Sequence, residues 1–129
     1  MKKFVFALIL LSTCFGFSQE QTVHSIYFDT DVREIKQLQS EAVVHFLSLI
    51  DTTRLESVSI FGYCDDVGKV DYNYKLSQDR ANSVKNMLVK KGVKYKIIVK
   101  IEGKGKVMID EDLEENVPEA RSKNRRVDV

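Results

Sequence analysis

Tryptophan is absent from this chain, proline occurs once, cysteine twice, and no charge of one sign prevails: 20 lysines and arginines stand against 19 aspartates and glutamates. A balance that close excludes the basic footprint by which proteins grip nucleic acid, and equally a polybasic membrane patch. The longest apolar run, Phe4 to Leu11, is too short to span a bilayer. No internal repeat, low-complexity tract or long linker divides the sequence. His24 and His45 each stand alone. Neither a nucleophile–base pair nor a metal-ligand cluster is visible, so an enzyme is not expected and no cofactor is implied.

What is there begins with a leader. Lys2 and Lys3 precede the apolar run, and small and polar residues follow it to Gly16-Phe17-Ser18, the layout of a secretory signal peptide over residues 1–18. Export followed by cleavage after Ser18 leaves a domain of residues 19–129, with 18 basic and 19 acidic side chains. Cys64 is then the only cysteine, which rules out an intramolecular disulfide and leaves stability to packing. The alternative is Leu11-Ser12-Thr13-Cys14 used as a lipoprotein cleavage box, with a lipid anchor on Cys14, although Thr13 stands where such boxes place Gly or Ala. At 43% hydrophobic and 30% charged, the remainder suits one small globular domain with a modest core.

Periodicity predicts alternating elements. Val23 to Phe28 reads as a strand broken by Asp29-Thr30-Asp31. From Val32 to Ile50, Ile35, Leu38, Ala42, Phe46, Leu49 and Ile50 recur at helical steps. Val58 and Ile60 alternate with serines up to Gly62, giving a second strand that runs into a loop from Tyr63 to Gly68. Asp71 is the expected N-cap of a second helix and Gly92 its C-terminal stop. Ile97, Val99 and Ile101 alternate with charged residues in a third strand ending at Gly103, and Gly103-Lys104-Gly105-Lys106 reads as a turn. Asp110 to Glu119 reads as a solvated acidic loop, and Arg125 to Val129 as a short closing strand. The prediction is an α+β fold: a βαβαβ sandwich of a small mixed sheet with two main helices on one face and a short C-terminal strand.

The second helix carries the feature with most chemical content. With Asn73 set at zero and about 100° per residue, Leu76, Ser77, Arg80, Val84, Met87 and Leu88 fall on one inward face. A buried guanidinium needs a partner, since removing one member of a buried ion pair typically costs about 3–5 kcal/mol. Asp65, 15 positions upstream in a glycine-flanked loop, is the natural candidate. Asp29 and Asp65 both sit where strands lead into helices, so their loops can meet Arg80 at one sheet edge, where α/β proteins place ligands. Two other readings stay open here: a purely structural arginine–carboxylate tie, or an arginine snorkelling to water.

Gly62-Tyr63-Cys64-Asp65-Asp66-Val67-Gly68, then Asn73, Leu76-Ser77, Arg80-Ala81 and Asn124-Arg125-Arg126-Val127 closely resemble the OmpA C-terminal-like (OmpA/MotB) family, and Tyr27-Phe28-Asp29-Thr30-Asp31 resembles its first-strand exit. The resemblance covers residues 23–129. It implies non-covalent binding of peptidoglycan stem peptide in the periplasm, close to an outer membrane, with diaminopimelate held between Asp65 and Arg80. The zwitterionic end of that residue suits such a pair: the aspartate takes the ammonium and the arginine grips the carboxylate with two prongs. Asn73, Asp29 and Thr30 are implied to shape the pocket, and other envelope proteins are the further class of partner. Arg125 and Arg126 match the family motif as well as they match a closing strand with solvated or carboxylate-paired charges.

One departure is Cys64, which replaces the family's usual threonine and removes a hydroxyl, so a domain that keeps the fold but serves protein interaction instead of wall binding is the alternative. Other motifs carry less. Asp65, Asp66 and Asp71 lack the ordered ligand spacing of a calcium loop, and no Gly-Lys-Ser/Thr helix start follows the Gly-Lys repeat at 103–106.

Overall fold

The computed structural model describes residues 20–129, so the leader and Cys14 lie outside the described residues. Among these residues, four strands and three α-helices follow in order: β1 (Ser25–Tyr27), α1 (Gln37–Leu49), β2 (Val58–Cys64), α2 (Val70–Lys90), β3 (Ile98–Lys106), α3 (Val117–Asn124) and β4 (Arg126–Asp128). The four strands form one mixed sheet in the order β1-β4-β2-β3. β4 runs antiparallel to both β1 and β2, whereas β2 and β3 are parallel across the α2 crossover. The α+β expectation holds, with a mixed sheet whose core side is covered by α1 and α2.

The core forms where the inward faces of the strands meet those helices. Ile26, Ile60 and Val127 from three adjacent strands pack with Val43 of α1 and with Ala81, Val84 and Leu88 of α2. Val84 and Leu88 are 0% and 2% exposed, and full burial of such side chains contributes roughly 1.5–3 kcal/mol each. α2 comes unusually close to the sheet because Gly62 and Gly103 face each other in register beneath it. A Cβ at Gly62 would lie 2.1 Å from the Ser77 carbonyl oxygen, and one at Gly103 2.5 Å from the Gln78 nitrogen. The gap is sealed by polar contacts: the Gly103 N–H donates to Gln78 Oε1 at 2.8 Å and the Gly105 N–H to Ser77 Oγ at 2.9 Å.

Several boundaries depart from the sequence reading. β2 continues through Tyr63 and Cys64, and β3 continues through 103–106 instead of turning. Two bulges account for this. Between Gly62↔Gly103 and Cys64↔Lys106 the register gains one residue on β3, where Gly105 adopts φ +74°, a conformation open to glycine in a bulge. A second shift, between Val58↔Ile98 and Ser59↔Lys100, makes Val99 the extra residue and turns it outward, 64% exposed. Of the expected Ile97–Val99–Ile101 face, Ile97 and Ile101 pack on the core, and Ile98 takes the place of Val99.

α1 starts at Gln37 and presents Val43 and Leu47 inward, leaving Leu38 and Leu49 76% and 70% exposed. The stripe that packs is therefore rotated from the one drawn through Leu38, Ala42 and Leu49. α2 starts one residue before Asp71, after an extended Lys69, so Asp71 sits in the first turn and is not the cap. A charge there still favours the helix through its dipole. The acidic segment hides α3, whose Asn116 Oδ1 accepts from the Glu119 N–H at 3.1 Å, with Pro118 in the first turn.

Candidate functional site

Asp65 leaves the end of β2 and is pinned at both oxygens. Its Oδ1 accepts from the Val67 N–H at 3.1 Å, closing a tight turn, and its Oδ2 accepts from Arg125 Nη1 at 3.2 Å. Arg125 follows α3, and its Nε donates to the Phe28 carbonyl at 3.2 Å. The Phe28 N–H in turn donates to the Arg125 carbonyl, so β1, β4 and the Asp65 loop are tied at one sheet end. Asp65 is 8% exposed and its partner's side chain 19%.

Arg80 is 1% exposed, and the expected direct pairing with Asp65 is replaced by a different solution. Its Nε donates to the Val32 carbonyl at 2.8 Å and its Nη2 to the Asp29 carbonyl at 2.9 Å. Nη1 reaches the Tyr63 carbonyl at 3.3 Å and Cys64 Sγ at 3.5 Å. The guanidinium also lies over the Phe28 ring, 5.1 Å from its centroid. Four acceptors thus serve the five N–H groups of a rigid fork, which explains how a charge is held at this depth with no bonded carboxylate. Burial pulls its pKa down, with Cys64 and Asp65 acting against that pull. Asp65 therefore acts on Arg80 through space while its bond goes to Arg125.

The remaining residues of the constellation divide by role. Asp29 contributes its carbonyl to Arg80, while its carboxylate points outward to Lys36 Nζ at 2.7 Å. Lys36 holds that carboxyl below the usual aspartate range. Thr30 lies exposed in the same turn, next to Asp31 at φ +58°. Asp31 accepts from the Tyr72 hydroxyl at 3.3 Å, and Arg33 pairs with Asp79 at 2.6 Å, so the segment from 29 to 33 is fastened along α2. Asn73 is 4% exposed and donates to the Val67 and Lys69 carbonyls at 2.7 and 3.0 Å. It braces the loop from within.

Cys64 occupies the threonine position of the family pattern and keeps a local bond there, its thiol donating to the Asn73 carbonyl at 3.2 Å. Burial pushes its pKa up, more strongly than Arg80 draws it down, so the neutral thiol persists and is no nucleophile. Arg125, which closes α3, and Arg126, which opens β4, part company. Arg125 meets Asp65, while Arg126 lies over the Tyr63 ring at 4.4 Å and pairs with Asp128. Beside Arg125 a cleft of about 180 Å³ opens, lined by Phe28, Asp29, Lys36, Gln39 and Ser122 among others.

Sequence reasoning missed α3 and with it Arg121, whose Nε donates to Asp66 Oδ1 at 2.8 Å and whose Nη2 donates to Glu111 at 2.7 Å. The signal was Asn116-Val117-Pro118-Glu119, a capping residue with proline at the helix start and an acid three positions on.

Comparison with known proteins identifies the family. The OmpA family profile matches residues 27–125. Outer membrane protein A of Bordetella avium is 34% identical over 103 residues, covering 80% of this chain and 52% of that protein. A photosystem I P700 chlorophyll a apoprotein A2 of Gloeobacter violaceus is 33% identical over 109 residues, 81% of this chain but 12% of that one. This chain thus spans about half, or much less, of the length of these two relatives. The crystal structure of the peptidoglycan-associated lipoprotein from Burkholderia pseudomallei superposes with a TM-score of 0.64 at 25% identity, over 81% of this chain and 86% of that one. With profile, fold and motif order in agreement, this chain belongs to the OmpA family.

Proposed function

We propose that the domain binds peptidoglycan stem peptide non-covalently in the periplasm and helps link the cell envelope to the wall. In this reading Asp65 takes the ammonium of the diaminopimelate tip and Arg80 its carboxylate, with Asp29, Thr30 and Asn73 shaping the pocket. The observation that carries it is the convergence of Asp65, Arg80 and the Asp29–Val32 backbone at one sheet end of an OmpA-family domain. The peptidoglycan-associated lipoprotein, a similar fold, is named for that partner.

The geometry adds a requirement. A carboxylate reaches Arg80 by taking the places of the Asp29 and Val32 carbonyls, so the segment between them lifts as the ligand enters. A charge-assisted bidentate contact is stronger than the neutral bonds it replaces, which favours that exchange. The same observation supports a second reading, in which the chain's own carbonyls fill Arg80 permanently and the domain serves protein interaction.

Sedimentation of the purified domain with insoluble peptidoglycan separates the two. Wild type is expected in the pellet, with folded Asp65→Ala and Arg80→Ala variants in the supernatant. Wild type in the supernatant hands the case to the interaction module.

A further inference from the structure

We infer that Arg121 is a positioning residue for the ligand-binding aspartate, acting through Asp66, an inference that rests on the wall-binding reading for its functional consequence. Asp65 and Asp66 are consecutive carboxylates, and two arginines four residues apart, one helical turn, answer them separately. Arg125 takes Asp65 and Arg121 takes Asp66. Arg121 makes its contact from α3 at 2.8 Å, and the Asp66 side chain is 10% exposed, far less than the carboxylates of Lys36–Asp29 or Lys123–Glu119 at 60% and 54%. Screening by water is correspondingly smaller than for a surface pair. With its other arm Arg121 holds Glu111, so one guanidinium joins the loop after β2, the loop after β3 and α3.

The mechanical consequence lies in the backbone. Asp66 sits between Asp65 and Val67, and the Val67 N–H holds Asp65 Oδ1. Anchoring the Asp66 side chain fixes the peptide planes on either side of it, and thereby the direction of that N–H and the rotamer of Asp65. The anchor also partitions charge. Were Arg121 lost, Asp66 would keep only the unbonded charge of Lys106, whose ammonium is given to the Gly68 carbonyl, and Arg125 would be drawn between two adjacent carboxylates, away from Asp65. Arg121 makes no bond to Asp65 itself among the described residues. It keeps the neighbouring aspartate from competing for Arg125, and Asp66 serves as the fastening point.

Two measurements test this. Hydrogen exchange at the Val67 amide reports Asp65 placement without any ligand: Arg121→Gln should speed it about tenfold while exchange in β2 and α2 stays at wild-type rates. In sedimentation with insoluble peptidoglycan, Arg121→Gln should bind roughly tenfold more weakly, the lower end of what loss of an orienting partner costs at other ligand sites. The double variant Asp66→Asn/Arg121→Gln should recover most of the retention, because it removes the stray carboxylate along with its partner. A purely structural role for Arg121 would lower the unfolding midpoint without moving the Val67 amide selectively and without rescue by the double variant, and that result overturns the inference. Failure of wild type to sediment overturns wall binding and Arg121's part in it, while the exchange result still decides whether Arg121 positions Asp65.

Discussion

Arg125 donates to Asp65 across 3.2 Å and 60 positions of sequence, while Arg80, the cation expected at that carboxylate, is committed to backbone carbonyls of the β1–α1 segment. The site is therefore complete only once β4 has inserted between β1 and β2, which brings Arg125 to the end of the sheet.

Arg125→Gln should destabilise the fold by about 1–3 kcal/mol, since it leaves a carboxylate with little water and one backbone N–H. Urea unfolding measures this, and a cycle with Asp65→Asn isolates the pair. Additive single effects would show that the 3.2 Å contact contributes nothing of its own.

Arg80→Lys keeps the charge but loses the fork. An ammonium has three donors on one atom, and carbonyls of Val32, Asp29 and Tyr63 approach Arg80 from different sides. A loss of about 2–4 kcal/mol is expected by thermal or urea unfolding, and wall retention should fall with it. Wild-type stability and retention in the lysine variant would show that charge alone suffices.

Acid should act through Asp66. Arg121 holds its carboxyl below the ordinary aspartate value, about 3.9. The sign follows: the stabilisation is fully present above the ordinary value and is lost as pH falls through the lower folded one. Wild type should lose stability below about pH 4, and Arg121→Gln should flatten that part of the curve. Parallel acid limbs in the two proteins would argue against the pair as its source.

Gly62→Ala should be among the most damaging small substitutions, because the new Cβ would meet a helix carbonyl at 2.1 Å and no flexible side chain can yield. A loss of about 3 kcal/mol, the upper range for overpacking, is expected. Gly92→Ala meets no atom within 4 Å but keeps φ +103°, so its cost should be smaller, about 1 kcal/mol, from backbone strain alone. Calorimetric midpoints rank the two.

The Cys64 thiol should ignore a disulfide-exchange reagent in the folded domain, being 1% exposed with its pKa raised by burial. Its labelling rate should follow unfolding, so that urea accelerates it steeply. Rapid labelling of the native protein would place the thiol in contact with solvent.

The inward face of α2 was legible without coordinates: Asn73, Leu76, Ser77, Arg80, Val84 and Leu88 are buried and Met87 is partly so, as a period of 3.6 demands of a helix lying on a sheet. The packed face of α1 lies a fraction of a turn from the predicted one, since leucines at 38 and 49 carry the same hydrophobic signal whether packed or exposed. The third strand's alternation misled at one position, because the bulge turns Val99 outward while Ile101 keeps the inward face read for it. α3 is hard to see in the sequence because its charged surface resembles a loop, and its start lies in a short capping pattern.

Local chemistry along the chain determined the two main helices and the strand cores, the meeting of the Asp29 and Asp65 loops with α2, and the depth of Arg80, all of which follow from periodicity and the cost of burying charge. Which acceptor each arginine took was decided only by the tertiary structure. Arg80, Arg121 and Arg125 offer the same fork, and Asp65, Asp66 and nearby carbonyls offer similar acceptors. Strand order, two bulges and the close seat of α2 on Gly62 and Gly103 set the distances among them. A hydrogen bond that weakens within a fraction of an ångström makes those distances the arbiter.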